Sequence, residues 1–439
     1  MDKKALATQL VKTLREKGHE AFWAGGSVRD MLLGKAPKDY DIATSARPDE
    51  VKRLFQKTIP VGEKFGVILI LLEGVPFEVA TFRTEGPYSD GRRPDRVSFA
   101  SAKEDAKRRD FTINGLFYDP IEKKVLDFVE GEKDLKARRI RTIGSPEKRF
   151  EEDKLRLLRA LRFASTLSFT IEPETLDAIR RLSPEIRRVS PERIRDELMK
   201  MFTRQGAGRG LGLLSESGLL KEILPEVEAM KGVEQPKEFH PEGDVFIHTK
   251  LMLDELNQME APSVVLAFAC LLHDVGKPPT FEILDRIRFN EHAEVGAEMT
   301  EGILTRLRFS NDEKESIKTC VQNHMRFKEV QKMRPGKLKR LMQSATFPDE
   351  LELHRIDCFA SHGNLENWEF LKRKLEEYSE EDIKPRPFVT GDDLLHLGFQ
   401  EGPRIGKILA ELNDLQLDGR LSSREEALRW VKSHHVPPP

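Results

Sequence analysis

Apolar positions follow two different periods in the first third of the chain. Residues 3–17 repeat them every three or four positions, which predicts an amphipathic helix, while residues 19–24, 40–43, 67–72 and 76–81 carry short apolar runs that predict strands. Gly25-Gly26 follows the first of these strands and opens a second helix. A small α/β domain over residues 1–145 is the expected result. From Pro146 onward the strand signal nearly vanishes, and residues 154–164, 174–182 and 191–202 read as successive amphipathic helices, so the remainder is expected to be all-α. Residues 234–244, with Pro236, His240, Pro241 and Gly243, read as a linker, and residues 384–387, with two prolines, as another. The expected units are therefore 1–145, 146–233, 245–375 and 385–439. Several units are needed in any case, because single hydrophobic cores rarely grow past roughly 250–300 residues.

Composition narrows the class. The longest apolar runs, residues 263–272 and 67–72, are far shorter than the ~20 residues a membrane helix needs, so no membrane association is expected. The N-terminus is charged and lacks a signal-peptide core, which points to the cytoplasm. Cys270, Cys320 and Cys358 are widely spaced and offer neither a disulfide framework nor a zinc ribbon; they read as core residues. A net charge of -2 says little, but residues 131–210 hold 20 Lys and Arg against 13 Asp and Glu. Two readings of that surplus stand side by side: a field that attracts phosphates, and a solvated helical surface.

Candidate chemistry begins at Gly25-Gly26-Ser27-Val28-Arg29-Asp30. It lies between a predicted strand and a predicted helix, where free N–H groups and the helix dipole favour a phosphate. Asp39-Tyr40-Asp41 follows on the next predicted strand, and residues i and i+2 of a strand share a face. Two carboxylates side by side repel unless a cation sits between them, so the pair reads as a divalent-metal site best suited to Mg²⁺. Such a site supports in-line phosphoryl transfer by two metals. Glu78, on another predicted strand, reads equally well as a third carboxylate or as a solvent-facing side chain.

These segments, with Arg108-Arg109-Asp110-Phe111-Thr112-Ile113-Asn114, Asp127-Phe128-Val129-Glu130-Gly131 and Glu152-Asp153-Lys154-Leu155-Arg156-Leu157-Leu158-Arg159, occur in the order and spacing of a known family. The chain resembles the class II, bacterial-type tRNA nucleotidyltransferase and poly(A) polymerase family over roughly residues 20–230. The resemblance implies a polymerase-beta-like α/β nucleotidyltransferase head (1–145), then all-α neck (146–233), HD (245–375) and tail (385–439) domains. It implies an enzyme that adds or repairs the CCA end of tRNA from CTP and ATP. Its partner is the tRNA acceptor arm, with no obligatory protein partner evident. Asp39 and Asp41 are then catalytic metal ligands, and Gly25, Gly26, Ser27, Arg29, Arg109 and Asn114 bind nucleotide. Asp110 meets the ribose, Asp153 and Arg156 read the base, and Arg159 orients that pair or contacts the triphosphate. Residues 83–94, rich in turn formers and charge, are expected to form a mobile loop that assists the switch from CTP to ATP.

His273-Asp274-Val275-Gly276-Lys277 looks like the signature of an HD phosphohydrolase. By that likeness His248, His273, Asp274 and Asp357 form one metal site, which His292 and His324 extend toward a second metal or a scissile phosphate. Imidazole with carboxylate suits a transition metal such as Ni²⁺ or Mn²⁺. The competing readings are an enzyme that adds only CC or only A, a poly(A) polymerase, and a phosphohydrolase whose head merely binds RNA.

Overall fold

The computed structural model describes residues 2–86 and 96–435. The chain divides into two compact units, Met1–Glu228 with Arg306–Arg308, and Ala229–Thr305 with Phe309–Pro439. No helix among the described residues is long and apolar enough to cross a membrane. Cys270, Cys320 and Cys358 are all buried and free.

The first unit opens with the helix Lys3–Glu16, capped by Asp2, whose side chain accepts from Lys4 N. Nine strands follow: β1 (Ala21–Ala24), β2 (Asp41–Thr44), β3 (Thr58–Gly62), β4 (Val67–Leu72), β5 (Val75–Thr81), β6 (Arg83–Glu85), β7 (Val97–Phe99), β8 (Phe117–Asp119) and β9 (Lys124–Leu126). Seven make one sheet in the order β3-β4-β5-β2-β1-β8-β9, and β6 pairs with β7 in a separate two-stranded sheet. Within the sheet β2 and β5 run parallel, with Ile42 opposite Val79. Alternation along β5 buries Phe77, Val79 and Thr81 while Pro76 and Glu78 face out, as a pleated strand with one covered face must. Phe22, Phe82 and Phe117 meet on the other face of the sheet, where Phe22 stands opposite Ala43 and Phe117 opposite Ala24, with ring centroids 5.9–6.2 Å apart.

Three sequence expectations need correction here. The second strand begins at Asp41 rather than Tyr40, so Asp39 precedes it and strand alternation does not govern the Asp39–Asp41 pair. Residues 83–85 of the expected loop are strand β6, because Arg83, Thr84 and Glu85 pair with Phe99, Ser98 and Val97; residues 87–95 lie outside the described residues. The neck helix expected over 154–164 is Leu155–Leu167, preceded by a separate helix, Pro146–Glu152. Asp153 is the extended joint between them (φ -142°, ψ 106°), not a residue on the helix. The helices Pro173–Leu182 and Pro191–Phe202 agree with expectation. A short parallel pair, β10 (Arg139–Ile140) with β11 (Thr170–Ile171), ties the neck to the chain entering it.

In the second unit Val245–Glu255, Val264–Leu272, Asn311–Asn323 and Phe347–Ala360 pack together, with the nearly all-apolar Val264–Leu272 wholly enclosed from Leu266 onward. A hairpin, β12 (Phe281–Ile283) and β13 (Ile287–Phe289), interrupts the helices. The sequence reading missed it because each strand is three residues long and none of its side chains is buried. The last helices close on their own small core around Leu394, Phe399, Ile408, Leu412 and Val431.

Candidate active sites

Parallel pairing of β2 with β5 sets the first site. Asp41 and Glu78 each stand one residue before the Ile42–Val79 pair, so their side chains rise from the same face of neighbouring strands. Both open on a cleft of about 820 Å³. The cleft walls remove enough water to push the Asp41 carboxyl up to about 6, and the nearby Glu78 charge adds to the rise. Two carboxylates in mutual repulsion, with only oxygen donors, fit a hard divalent cation.

The turn after β1 forms another wall. Gly25 has φ +68°, a backbone conformation that favours glycine, and the Arg109 guanidinium lies over it, with Nη1 2.9 Å from where a Cβ would stand. Ser27 is buried and donates to Ala24 O at 3.0 Å; it holds the turn and does not line the cleft. Arg29 donates to Asn114 Oδ1 at 2.7 Å, and Asn114 in turn donates to Asp110 Oδ1 at 3.1 Å. Asp110 Oδ2 accepts from Arg159 Nε at 3.0 Å and Nη2 at 2.6 Å. Burial alone would raise the Asp110 carboxyl, but the Arg159 charge and hydrogen bonds leave it well below the usual carboxylate range.

Helices from residue 146 onward supply the opposite wall. Asp153 caps Leu155 N at 3.1 Å through Oδ1 and accepts from Arg193 Nη2 at 2.7 Å through Oδ2. Arg156 donates to Glu152 Oε2 at 2.5 Å and Arg149 O at 3.0 Å. The expected neighbouring of Asp153 and Arg156 on one helical face is therefore replaced by two side chains held separately, each lining the cleft. Phe163 is a pillar the sequence reading did not single out: Arg29, Arg159 and Arg162 surround its ring at 5.1, 5.3 and 3.9 Å. Buried Glu197 also escaped it; the carboxylate accepts from Arg162 Nε at 2.5 Å and lies 3.8 Å from Arg159. The helical period around Phe163 and Glu197 marks both as ordinary core or surface positions, so only the assembled neck reveals them.

Of the residues expected at this site, Gly25, Gly26, Arg29, Asp41, Arg109, Asp110, Asn114, Asp153, Arg156 and Arg159 line the cleft. Asp39 does not. Its side chain is 80% exposed and paired with Lys3 at 2.7 Å, outside the lining.

The second unit gathers the other constellation around a cavity of about 960 Å³ lined by His273, Asp274, His292, His324 and Asp357. His248 lies fully buried behind it, with Nε2 3.0 Å from Asp357 Oδ1. His273 Nε2 is 3.1 Å from Asp274 Oδ2, and the Nε2 atoms of His292 and His324 approach Asp274 Oδ1 at 3.7 and 3.8 Å. Two ligand-type groups thus share Asp274: His248, His273 and Asp274, and Asp274, His292 and His324. Burial, with the His273 charge, pushes His324 down to about 4, so it stands as a neutral donor. Asp274 Oδ2 pairs with the Lys277 ammonium at 2.7 Å, while Asp274 Oδ1 is buried with no hydrogen bond and no partner nearer than 3.7 Å among the described residues, as a group waiting for a cation would be. Sequence reasoning missed His240 and Glu242 here, having read residues 234–244 as a linker; these two form a third group with His248.

Comparison with known proteins follows the same division. Family models match in three places: the Poly A polymerase head domain over residues 21–141, the probable RNA and SrmB-binding site of polymerase A over 168–231, and the HD domain over 244–358. A CCA-adding enzyme of Levilactobacillus brevis is 34% identical over 430 residues, 96% of each chain. The CCA-adding enzyme of Lactobacillus johnsonii is 46% identical over 218 residues, 49% of this chain and 54% of that one; this match spans about half of that relative. The structure of the Bacillus stearothermophilus CCA-adding enzyme in complex with CTP superposes with a TM-score of 0.71 at 25% identity, covering 99% of both chains. A nucleotidyltransferase head followed by a helical neck and an HD domain is the class that the fold defines. The chain belongs to the family of CCA-adding enzymes.

Proposed function

We propose that this enzyme adds or repairs the 3′-terminal CCA of tRNA, taking its nucleotides from CTP and ATP and releasing pyrophosphate. The observation that carries the reading is the single cleft in which Asp41 and Glu78 rise from the sheet on one side and Asp153 and Arg156 stand on the other. Gly25, Gly26, Arg29 and Arg109 hold the triphosphate, Ser27 stiffens the turn beneath it, and Asp110 with Asn114 faces the ribose. Arg159 holds Asp110 in place. Asp153 accepts from the exocyclic amine that cytosine and adenine share, and Arg156 donates to the ring acceptor beside it. Uracil and guanine present the reverse pattern and leave buried groups unpaired, at about 1–3 kcal/mol per group. The catalysis depends on divalent metal; Asp39 and Asp41 are its proposed ligands, Asp39 leaving Lys3 to reach it, and Mg²⁺ suits the all-oxygen set. When bound, such cations neutralise the triphosphate and activate the attacking 3′-hydroxyl. The head, neck, HD domain and tail are assigned to residues 1–145, 146–233, 245–375 and 385–439, and the site of action to the cytoplasm.

The convergence of three histidines on Asp274, with His248 on Asp357 behind them, favours a second activity, metal-dependent hydrolysis of phosphoesters such as 2′,3′-cyclic phosphates or 2′-nucleotides at the HD domain. Its donors fit a transition metal, Ni²⁺ or Mn²⁺ among them.

Transfer RNA lacking its last three nucleotides, incubated with labelled CTP, ATP or both and resolved at single-nucleotide resolution, tests the main reading. Extension that stops at CCA supports it. A stop at CC identifies a partial enzyme, a long A ladder a poly(A) polymerase, and no extension moves the function to the HD domain.

A further inference from the structure

Three of the four histidines at the second centre are aimed in one way. His273, His292 and His324 set Nδ1 against the main-chain carbonyls of Cys270 (3.1 Å), Phe289 (2.8 Å) and Val321 (2.6 Å), so each presents Nε2 to the cavity. His248 is the exception. Its Nε2 faces Asp357, but its Nδ1 lies 2.7 Å from a carboxylate oxygen, Oε1 of Glu242, a close charge contact short of hydrogen-bond geometry.

Glu242 is itself held in place. Its side chain is only 6% exposed, and the same oxygen lies 2.9 Å from His240 Nδ1. The backbone around it is closed by Gly243 N–H donating to His240 O at 2.9 Å and by Gln235 N–H donating to Gly243 O at 3.0 Å. Gly243, at φ +76°, makes that turn possible. Gln235 also reaches the centre, accepting from Lys277 Nζ at 2.5 Å while Lys277 pairs with Asp274 at 2.7 Å. Gln235, His240, Glu242 and Gly243 come from the segment that reads as a linker, and none of the four falls within the HD-domain match, which begins at residue 244. A carboxylate buried there, with Oε2 lacking any hydrogen-bond partner, is costly for a turn that serves only to connect helices.

We propose that Glu242 is a positioning residue of the HD metal centre: it keeps the proton on His248 Nδ1 and so presents Nε2 to a divalent transition-metal ion. The proposal rests on the reading that the HD residues hold a metal. A carboxylate behind a ligating imidazole fixes the tautomer and ring orientation and makes the ligand more basic than a carbonyl does. The segment 234–244 is thereby part of the site rather than a tether.

Metal affinity of the full chain tests this without reference to hydrolysis. The protein carrying Asp41→Ala, which removes the one proposed head ligand that lines the cleft, is stripped of metal and titrated with Mn²⁺ and with Co²⁺ by calorimetry. In that background Glu242→Ala is expected to weaken Kd by about 10–100-fold with stoichiometry kept. Glu242→Gln, isosteric and still able to accept through Oε1, falls between, and the visible spectrum of bound Co²⁺ changes in both. Thermal unfolding of the metal-free protein stays unchanged. An unaltered Kd in both variants overturns the proposal, as does a loss that merely tracks a fall in metal-free stability. Loss of one whole metal equivalent also overturns it, since Glu242 would then be a ligand in its own right. If the Asp41→Ala protein binds neither ion, the metal reading of the HD residues falls and this proposal with it.

Discussion

Arg159 grips Asp110 through two nitrogens on one carboxylate oxygen, while the other oxygen accepts from Phe111 N at 2.8 Å and Asn114 Nδ2 at 3.1 Å. The carboxylate proposed to meet the ribose is thus fixed before any nucleotide arrives. Burial opposes its ionisation, but the guanidinium prevails and holds the group well below its ordinary value. A depressed carboxyl contributes stability that is full above the unfolded value, about 3.9, and is lost as pH falls through the folded one. Asp110→Asn should therefore cost about 1.5–3 kcal/mol at pH 7, and its stability should decline less steeply than that of the natural protein below about pH 4. Urea unfolding between pH 7 and 2 measures both; parallel curves for the two proteins would contradict the pairing.

Asp41 shows the opposite shift. Its carboxyl is pushed up to about 6 by burial and by Glu78, so the metal-free folded state takes up a proton that the unfolded state does not hold between about pH 4 and 6. Stability of the metal-free protein should fall as pH rises through that window and stay lower above it. Asp41→Asn is expected to raise the melting temperature of the metal-free protein at pH 7 while abolishing incorporation of every nucleotide. Calorimetry in the presence of a chelator, paired with the primer-extension assay, checks the two halves. An Asn variant that still extends tRNA would remove the carboxylate from the metal site.

The sequence makes the cleft legible because its residues cluster in motifs whose side-chain types are unusual together: paired carboxylates, a double glycine before a helix, an Arg-Arg-Asp run. It is silent on what holds those residues. Phe163 and Glu197 sit at helical positions where burial and solvent exposure give the same apolar and charged pattern, and only packing of the neck helices puts them behind the arginines. Asp39 and Asp153 are placed on the wrong elements for one reason: period alone cannot place an element's first residue, and each lies just before a strand or helix begins. The linker reading of residues 234–244 is incomplete for a different reason, since Pro and Gly mark a turn without saying what the turn faces.

Arg193 donates to Asp153 at 2.7 Å and so fixes the carboxylate proposed to read the incoming base. Arg193→Ala should resemble a mild Asp153→Ala: kcat/KM for CTP and ATP falls by about fivefold to 150-fold, the equivalent of losing 1–3 kcal/mol at one polar contact, while UTP and GTP lose less. Discrimination, not tRNA affinity, should carry the change. Single-turnover incorporation of all four nucleotides, alongside a filter-binding Kd for tRNA, separates these, and an equal loss for all four bases would assign Arg193 to the fold alone.

Asp274 belongs to both ligand groups of the HD centre and pairs with Lys277 at 2.7 Å. Replacement by Asn keeps the shape, removes the charge shared by the two groups and leaves Lys277 buried without its counterion. The variant should lose metal binding and any phosphodiesterase activity on bis(p-nitrophenyl) phosphate together, and it should melt at a lower temperature. CCA addition should be unchanged at temperatures below that transition, because none of the residues lining the first cleft lies in the second unit. If Asp274→Asn slows nucleotide addition while the protein remains folded, the two activities are coupled and the division of labour drawn above is wrong.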